Sequence, residues 1–85
     1  MFLKRSAADE LENIGSDRDR RRIADRIRGL ADDPRPVGCA RLAGRKDRLR
    51  LRQGDYRILY SIDEEKRVVT VVRIAHRRDV YRPDR

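Results

Sequence analysis

Between Arg48 and Tyr60 the chain reads RLRLRQGDYRILY. Leu49 and Leu51 alternate with Arg48, Arg50 and Arg52. Tyr56, Ile58, Tyr60 and Ile62 then alternate with Arg57, Leu59 and Ser61 beyond a Gln53-Gly54-Asp55 turn. Period-two patterning across a glycine turn predicts a hairpin with one apolar and one cationic face. Asp63–Lys66 reads as a second polar turn. The run Arg67–Ala75, with Val68, Val69, Val71, Val72 and Ile74, predicts a last strand that is apolar on both sides. Simple alternation puts Arg73 on the side of Val69 and Val71, emerging near the strand end.

The N-terminal half has helical spacing instead. Ser6 and Asp9 match an N-cap box, with Ala7, Leu11 and Ile14 on one face; Asn13, Ile14 and Gly15 close the helix, with Gly15 as the breaker. Ser16 and Asp19 repeat the signal before a helix reaching about Asp32. Ile23, Ile27, Leu30 and Ala31 line its buried face with Ala24 beside them, and Arg18, Arg21, Arg22, Asp25 and Arg28 face out. Pro34 and Pro36 end that helix, and 34–46 reads as a loop anchored by Leu42. Phe2 and Leu3 are either a very short edge strand or a packed chain end. Two helices and a tight turn suggest a helix-turn-helix, but strands rather than a third helix follow. The economical fold is α+β: two N-terminal helices packed on a small, twisted, mostly antiparallel sheet, in one domain over 1–85.

Composition adds a polyanion. The 85 residues carry 23 Lys plus Arg against 15 Asp plus Glu, a net charge of +8. Lysine occurs only at Lys4, Lys46 and Lys66, so the charge is chiefly arginine, the better fork for phosphate and a stacker on bases. Three arginines on one strand face lie roughly 6.5 to 7 Å apart, near the repeat of a nucleic-acid backbone. The alternative is a solvated sheet face, but these three positions include no acid. The single cysteine, Cys39, excludes an intrachain disulfide or a cysteine metal site and reads as a packing residue. No signal-peptide run or 18-residue apolar span is visible, so the expected location is cytoplasmic, without membrane contact. After the last strand the pattern turns to His76, Arg77, Arg78, Asp79 and Tyr81, either a site or a frayed end. His76, Arg78, Arg52 and Arg73 are candidate substrate-binding residues.

The string RLRLxxGDYRILY, preceded by Leu42 and Gly44 and followed by HRRDVY from His76, resembles the RelE/ParE superfamily of bacterial and archaeal toxins. LADDPRP at 30–36 fits the end of that family's second helix. The resemblance covers nearly the whole chain, though members usually have a fuller strand before the first helix than Met1–Lys4 offers. It implies a cognate antitoxin that wraps the toxin, expected here to be acidic and helical, with operator DNA contacted only through it. The RelE branch cleaves messenger RNA in the ribosomal A site, and the ParE branch poisons DNA gyrase without such catalysis. The branch with a ribonuclease site implies catalytic roles for Arg48 and Arg50, Arg57, Arg77 and Tyr81. The expected function is therefore a toxin that acts as a ribosome-dependent mRNA endoribonuclease, with no cofactor and no metal. The alternatives are a gyrase inhibitor or an inactive antitoxin-binding module. Relatives commonly carry lysine where this chain has Arg48 and Arg50. Guanidinium hardly ever deprotonates, which leaves Tyr81 or His76 as proton acceptor.

Overall fold

The computed structural model describes residues 1–42 and 48–76. In chain order the elements are β1 (Phe2–Leu3), α1 (Arg5–Glu12), α2 (Asp17–Asp32), β2 (Cys39–Arg41), β3 (Arg48–Gln53), β4 (Tyr56–Asp63) and β5 (Val68–His76). They form one five-stranded sheet in the order β1-β5-β4-β3-β2. Every pairing is antiparallel except β1 with β5, which is parallel. The fold is α+β, as the patterning predicts.

Both helices cover the face read as apolar. Ile23, Ile27 and Leu30 of α2 and Ala7 of α1 form one core with Leu49, Leu51, Ile58, Tyr60, Ile62, Val69, Val71 and Ile74. Helix α2 begins where the N-cap signal puts it, with the Asp19 amide donating to Ser16 Oγ at 3.2 Å. It ends at Asp32, ahead of Pro34. Ala31 is exposed and lies off the buried face, contrary to the reading from spacing, because Ile23, Ile27 and Leu30 already fill the stripe.

Four further local features differ from the sequence reading. Helix α1 starts at Arg5 behind Lys4, with no side-chain cap. Ser6, the expected cap, instead donates its hydroxyl to the Val72 carbonyl at 3.1 Å, a tertiary partner that outcompetes the local one. Asn13, the first of the three residues expected to close α1, caps its end, so that Gly15, the expected breaker, lies past the cap. Within the expected 34–46 loop, Cys39–Arg41 forms an edge strand against Leu49–Leu51.

The largest departure is a bulge. Leu59 pairs with Arg73 but Tyr60 pairs with Val71, so Val72 is extra. Inserting one residue reverses which face the rest of the strand presents. Arg73 therefore lies opposite Leu59 and is exposed, while Val69 and Val71 are buried on the other face. The expectation that Arg73 shares their side is overturned. Helix α1 closes this irregular edge. The Lys4 amide donates to Val71 O at 2.9 Å where β1 ends. Ser6 then takes Val72 O, and Glu10 Oε1 accepts from the Ile74 amide at 2.7 Å. Backbone groups that a strand would pair are satisfied by one turn of helix, as buried polar groups require.

Candidate nucleic-acid interface

The hairpin turn between β3 and β4 is made by Gly54 and Asp55. Gly54 has φ +61° and Asp55 does not share a positive φ, the pattern of a type II′ turn led by glycine. The turn fixes the register of the two strands: Arg52 opposite Arg57, Arg50 opposite Leu59, Arg48 opposite Ser61. Leu49 and Leu51 face the helices, so Arg48, Arg50 and Arg52 share the opposite face with Arg57. The structure thus brings together four of the residues singled out from the sequence.

Arg52 and Arg57 form a like-charged cross-strand pair, an arrangement that costs stability unless an anion offsets it. Arg57 is only 5% exposed, whereas Arg52 is solvent-facing and Arg48 and Arg50 are half-buried. Ladder pairing on both sides, to Arg52 and to Ala75, holds the Arg57 backbone. Its guanidinium is therefore pre-positioned, and guanidiniums keep their charge in proteins. A cleft of about 190 Å³, lined by Arg52, Gly54, Asp55, Tyr56 and Arg57, opens at this end of the hairpin.

Arg73 shares the arginine face through its pairing with Leu59 but has a carboxylate partner of its own, and His76 lies on the opposite face. The Arg73 guanidinium is held by the Glu10 carboxylate, at 3.0 Å from Nε and 2.9 Å from Nη2. His76 lies opposite Tyr56, ring against ring in an edge-on pair with centroids 5.2 Å apart. It belongs to the face that carries Ile58 and Ile74, not to the face of Arg57. Arg77, Arg78 and Tyr81 lie outside the described residues.

Three residues escaped sequence reading as parts of this region. Glu10 had no part in the sequence reading, and only the bulge gives it a backbone amide to bind. Tyr56 read as core, yet it lines the cleft. Asp55 read as a turn former. The available signal was that it is the one carboxylate between Arg48 and Arg57.

Away from the cationic face, Tyr60 is fully buried and its hydroxyl donates to the Pro34 carbonyl at 2.7 Å. Burial, with the Cys39 thiol next in effect, pushes its pKa well above the ordinary phenol value. Arg35 and Glu64 pair on the surface beside it and tie the post-α2 loop to the β4–β5 turn. Among the described residues no cluster of His, Cys, Asp or Glu suits a metal ion. None of their helices is long and apolar enough to cross a membrane.

Comparison with known proteins gives a consistent set of likenesses. The family model described as ParE toxin of type II toxin-antitoxin system, parDE, matches residues 1–81. Toxin RelG of Mycobacterium tuberculosis (strain ATCC 25618 / H37Rv) is 52% identical over 31 residues. That stretch spans 36% of this chain and 36% of the relative, little more than a third of each. The RelB-RelE antitoxin-toxin complex of Methanococcus jannaschii superposes with a TM-score of 0.82 over 100% of both chains at 17% identity. The archaeal RelE-RelB complex of Pyrococcus horikoshii OT3 gives 0.78 at 23% identity, over 89% of this chain and 91% of that one. At those identities the likeness shows the fold. The toxin-antitoxin complex RelBE2 of Mycobacterium tuberculosis gives 0.74 at 26% identity, over 88% and 93%.

Proposed function

We propose that this chain, which belongs to the RelE/ParE toxin family of type II toxin–antitoxin systems, is a ribosome-dependent messenger-RNA endoribonuclease held in check by a cognate antitoxin. One observation carries the reading: four arginines on a single sheet face, with Arg57 buried and aligned with Arg52. A gyrase poison needs a surface for a protein, whereas this arrangement suits a phosphodiester.

The reaction follows from those groups. The ribose 2′-oxygen attacks the adjacent phosphorus and the bond to the 5′-oxygen of the next nucleotide breaks. The products are a 2′,3′-cyclic phosphate and a 5′-hydroxyl. Negative charge builds on the non-bridging oxygens, and a fixed guanidinium in a low-dielectric setting offsets it without reorganising. Arg57 takes that role, helped by Arg48, with Arg50 and Arg52 on the backbone. Arg77 binds the scissile phosphate from the leaving-group side, Arg78 adds charge there, and Tyr81 stacks on a base or takes the proton of the nucleophile. The paired surroundings of His76 and Arg73 favour supporting roles: His76 against Tyr56, and Arg73 on Glu10. With arginine at both strand positions, the ribosome organises the RNA and supplies part of the proton transfer, so free RNA is a poor substrate.

The partner is a protein with an acidic segment, complementary to the +8 chain. Similar proteins were solved as RelE–RelB complexes, which supports this. The second reading, a gyrase inhibitor, is favoured by one observation, that the matching family model is ParE. Inducing the protein in cells while mapping RNA ends and DNA supercoiling separates the two. Prompt A-site cuts that disappear in Arg57→Ala establish the ribonuclease. Intact messages with gyrase-linked DNA breaks reject it.

A further inference from the structure

We infer that the cleft at the β3–β4 turn is a nucleobase subsite that reads guanine through the Asp55 carboxylate. The inference rests on the nucleic-acid reading of the arginine face and extends it to base selection.

At about 190 Å³ the cleft is smaller than the roughly 300–1,000 Å³ of sites that take whole drug-sized ligands, and suits one planar ring system. It is lined by Arg52, Gly54, Asp55, Tyr56 and Arg57. Arg57 is where the phosphate is placed above, so a base in this cleft belongs to a nucleotide flanking that phosphate. A carboxylate is the wrong charge for phosphate: it repels the chain that the four arginines attract. Yet the side chains of Asp55 and Arg52 make no hydrogen bond or ion pair among the described residues, so Asp55 is not spent on neutralising its neighbour.

An ionised carboxylate offers acceptors only. Its two oxygens match a base edge with two adjacent N–H donors. Guanine alone among the four RNA bases has that edge, at N1 and N2. Its other edge carries the O6 and N7 acceptors that arginine binds as a fork, and Arg52 stands in the same cleft to supply it. Adenine, cytosine and uracil each set an acceptor against one of the Asp55 oxygens.

The test titrates the isotope-labelled protein with the 5′-monophosphates of guanosine, adenosine, cytidine and uridine, reading the amide signals of Gly54 to Arg57. The guanosine nucleotide is expected to bind about tenfold more tightly than the others, within the roughly 5- to 150-fold that a bidentate base contact supplies. Asp55→Asn keeps a residue that turns favour. It is expected to erase that preference while leaving the phosphate-driven affinity in place. Equal affinities in the wild type, no binding of any of the four, or a guanosine preference that survives Asp55→Asn would each overturn the subsite. Cleavage of ribosome-bound message is scored separately. Selective binding without cleavage rejects the ribonuclease and leaves the subsite standing. Cleavage without bias toward guanine-flanked bonds rejects the subsite and leaves the ribonuclease standing.

Discussion

Removing the Glu10 carboxylate tests whether α1 holds the bulged end of β5. Two interactions are at stake. The Ile74 amide donates to Oε1 at 2.7 Å, and Ile74 is 4% exposed, so water does not readily replace the acceptor. Leaving that amide unsatisfied costs about 1–3 kcal/mol. The ion pair to Arg73 is different in kind: the two side chains are 51% and 28% exposed, which holds its worth to about 0–1 kcal/mol. Glu10→Ala is therefore expected to cost about 2–3 kcal/mol, most of it from the amide. Glu10→Gln, which still offers a carbonyl oxygen to Ile74, is expected to cost under about 1 kcal/mol. In a chain of this length each kcal/mol moves the melting temperature by about 4–8 °C, so the alanine variant melts at least about 8 °C lower. Urea titration by circular dichroism measures both variants, and an Arg73→Ala cycle isolates the ion pair. If Gln proved as damaging as Ala, the carboxylate charge would be the stabilising element and the reasoning from the bulge would fail.

Other outcomes follow from features already described. Tyr60→Phe loses the bond to Pro34 O and is expected to cost about 1–2 kcal/mol in urea, with little change in m-value. The raised pKa of Tyr60 means that the unfolded chain releases the phenolic proton first, at its ordinary value of about 10. This contribution to stability is thus complete below that pH and declines as pH climbs past it, an alkaline loss that Tyr60→Phe abolishes. Four arginines on one face predict a log affinity for single-stranded RNA that falls with log salt at a slope of about −3. Arg50→Gln is expected to shallow the slope by about 0.7, and an unchanged slope would remove Arg50 from the interface. Leu51→Ala, at a fully buried position, is expected to cost about 2–5 kcal/mol without altering that slope.

The cationic hairpin was legible because its two strands alternate strictly over one solvent-facing and one helix-facing surface. Helix α2 was legible through Ser16 at one end and Pro34 past the other. The bulge was not, since Val68 to Val72 is apolar at every position but Thr70 and gives no periodicity from which to locate an extra residue. The fate of Arg73 and His76 follows from that one insertion. Ser6 misled for the opposite reason: it matched a local capping pattern, but Val72 O lay within reach and had no strand to bind it. Strand β2 was hidden by its length, three residues between proline- and glycine-rich flanks. It pairs only because the regular β3 offers an open edge.

The parallel stitch of β1 to β5 also sets an order of events. Phe2 meets Thr70 and Leu3 meets Val71, and the hydroxyl of Ser6 reaches Val72 across 66 positions of sequence. Closing so long a loop is entropically unfavourable until the strands it joins already exist, whereas the β3–β4 hairpin closes over two residues. Folding is thus expected to nucleate at the arginine hairpin, with φ-values high around Leu51 and Ile58 and near zero at Leu3 and Ser6. The short strand ahead of the helices is the last to find its place, and the strand bearing the buried arginine takes shape before the edge of the sheet is sealed.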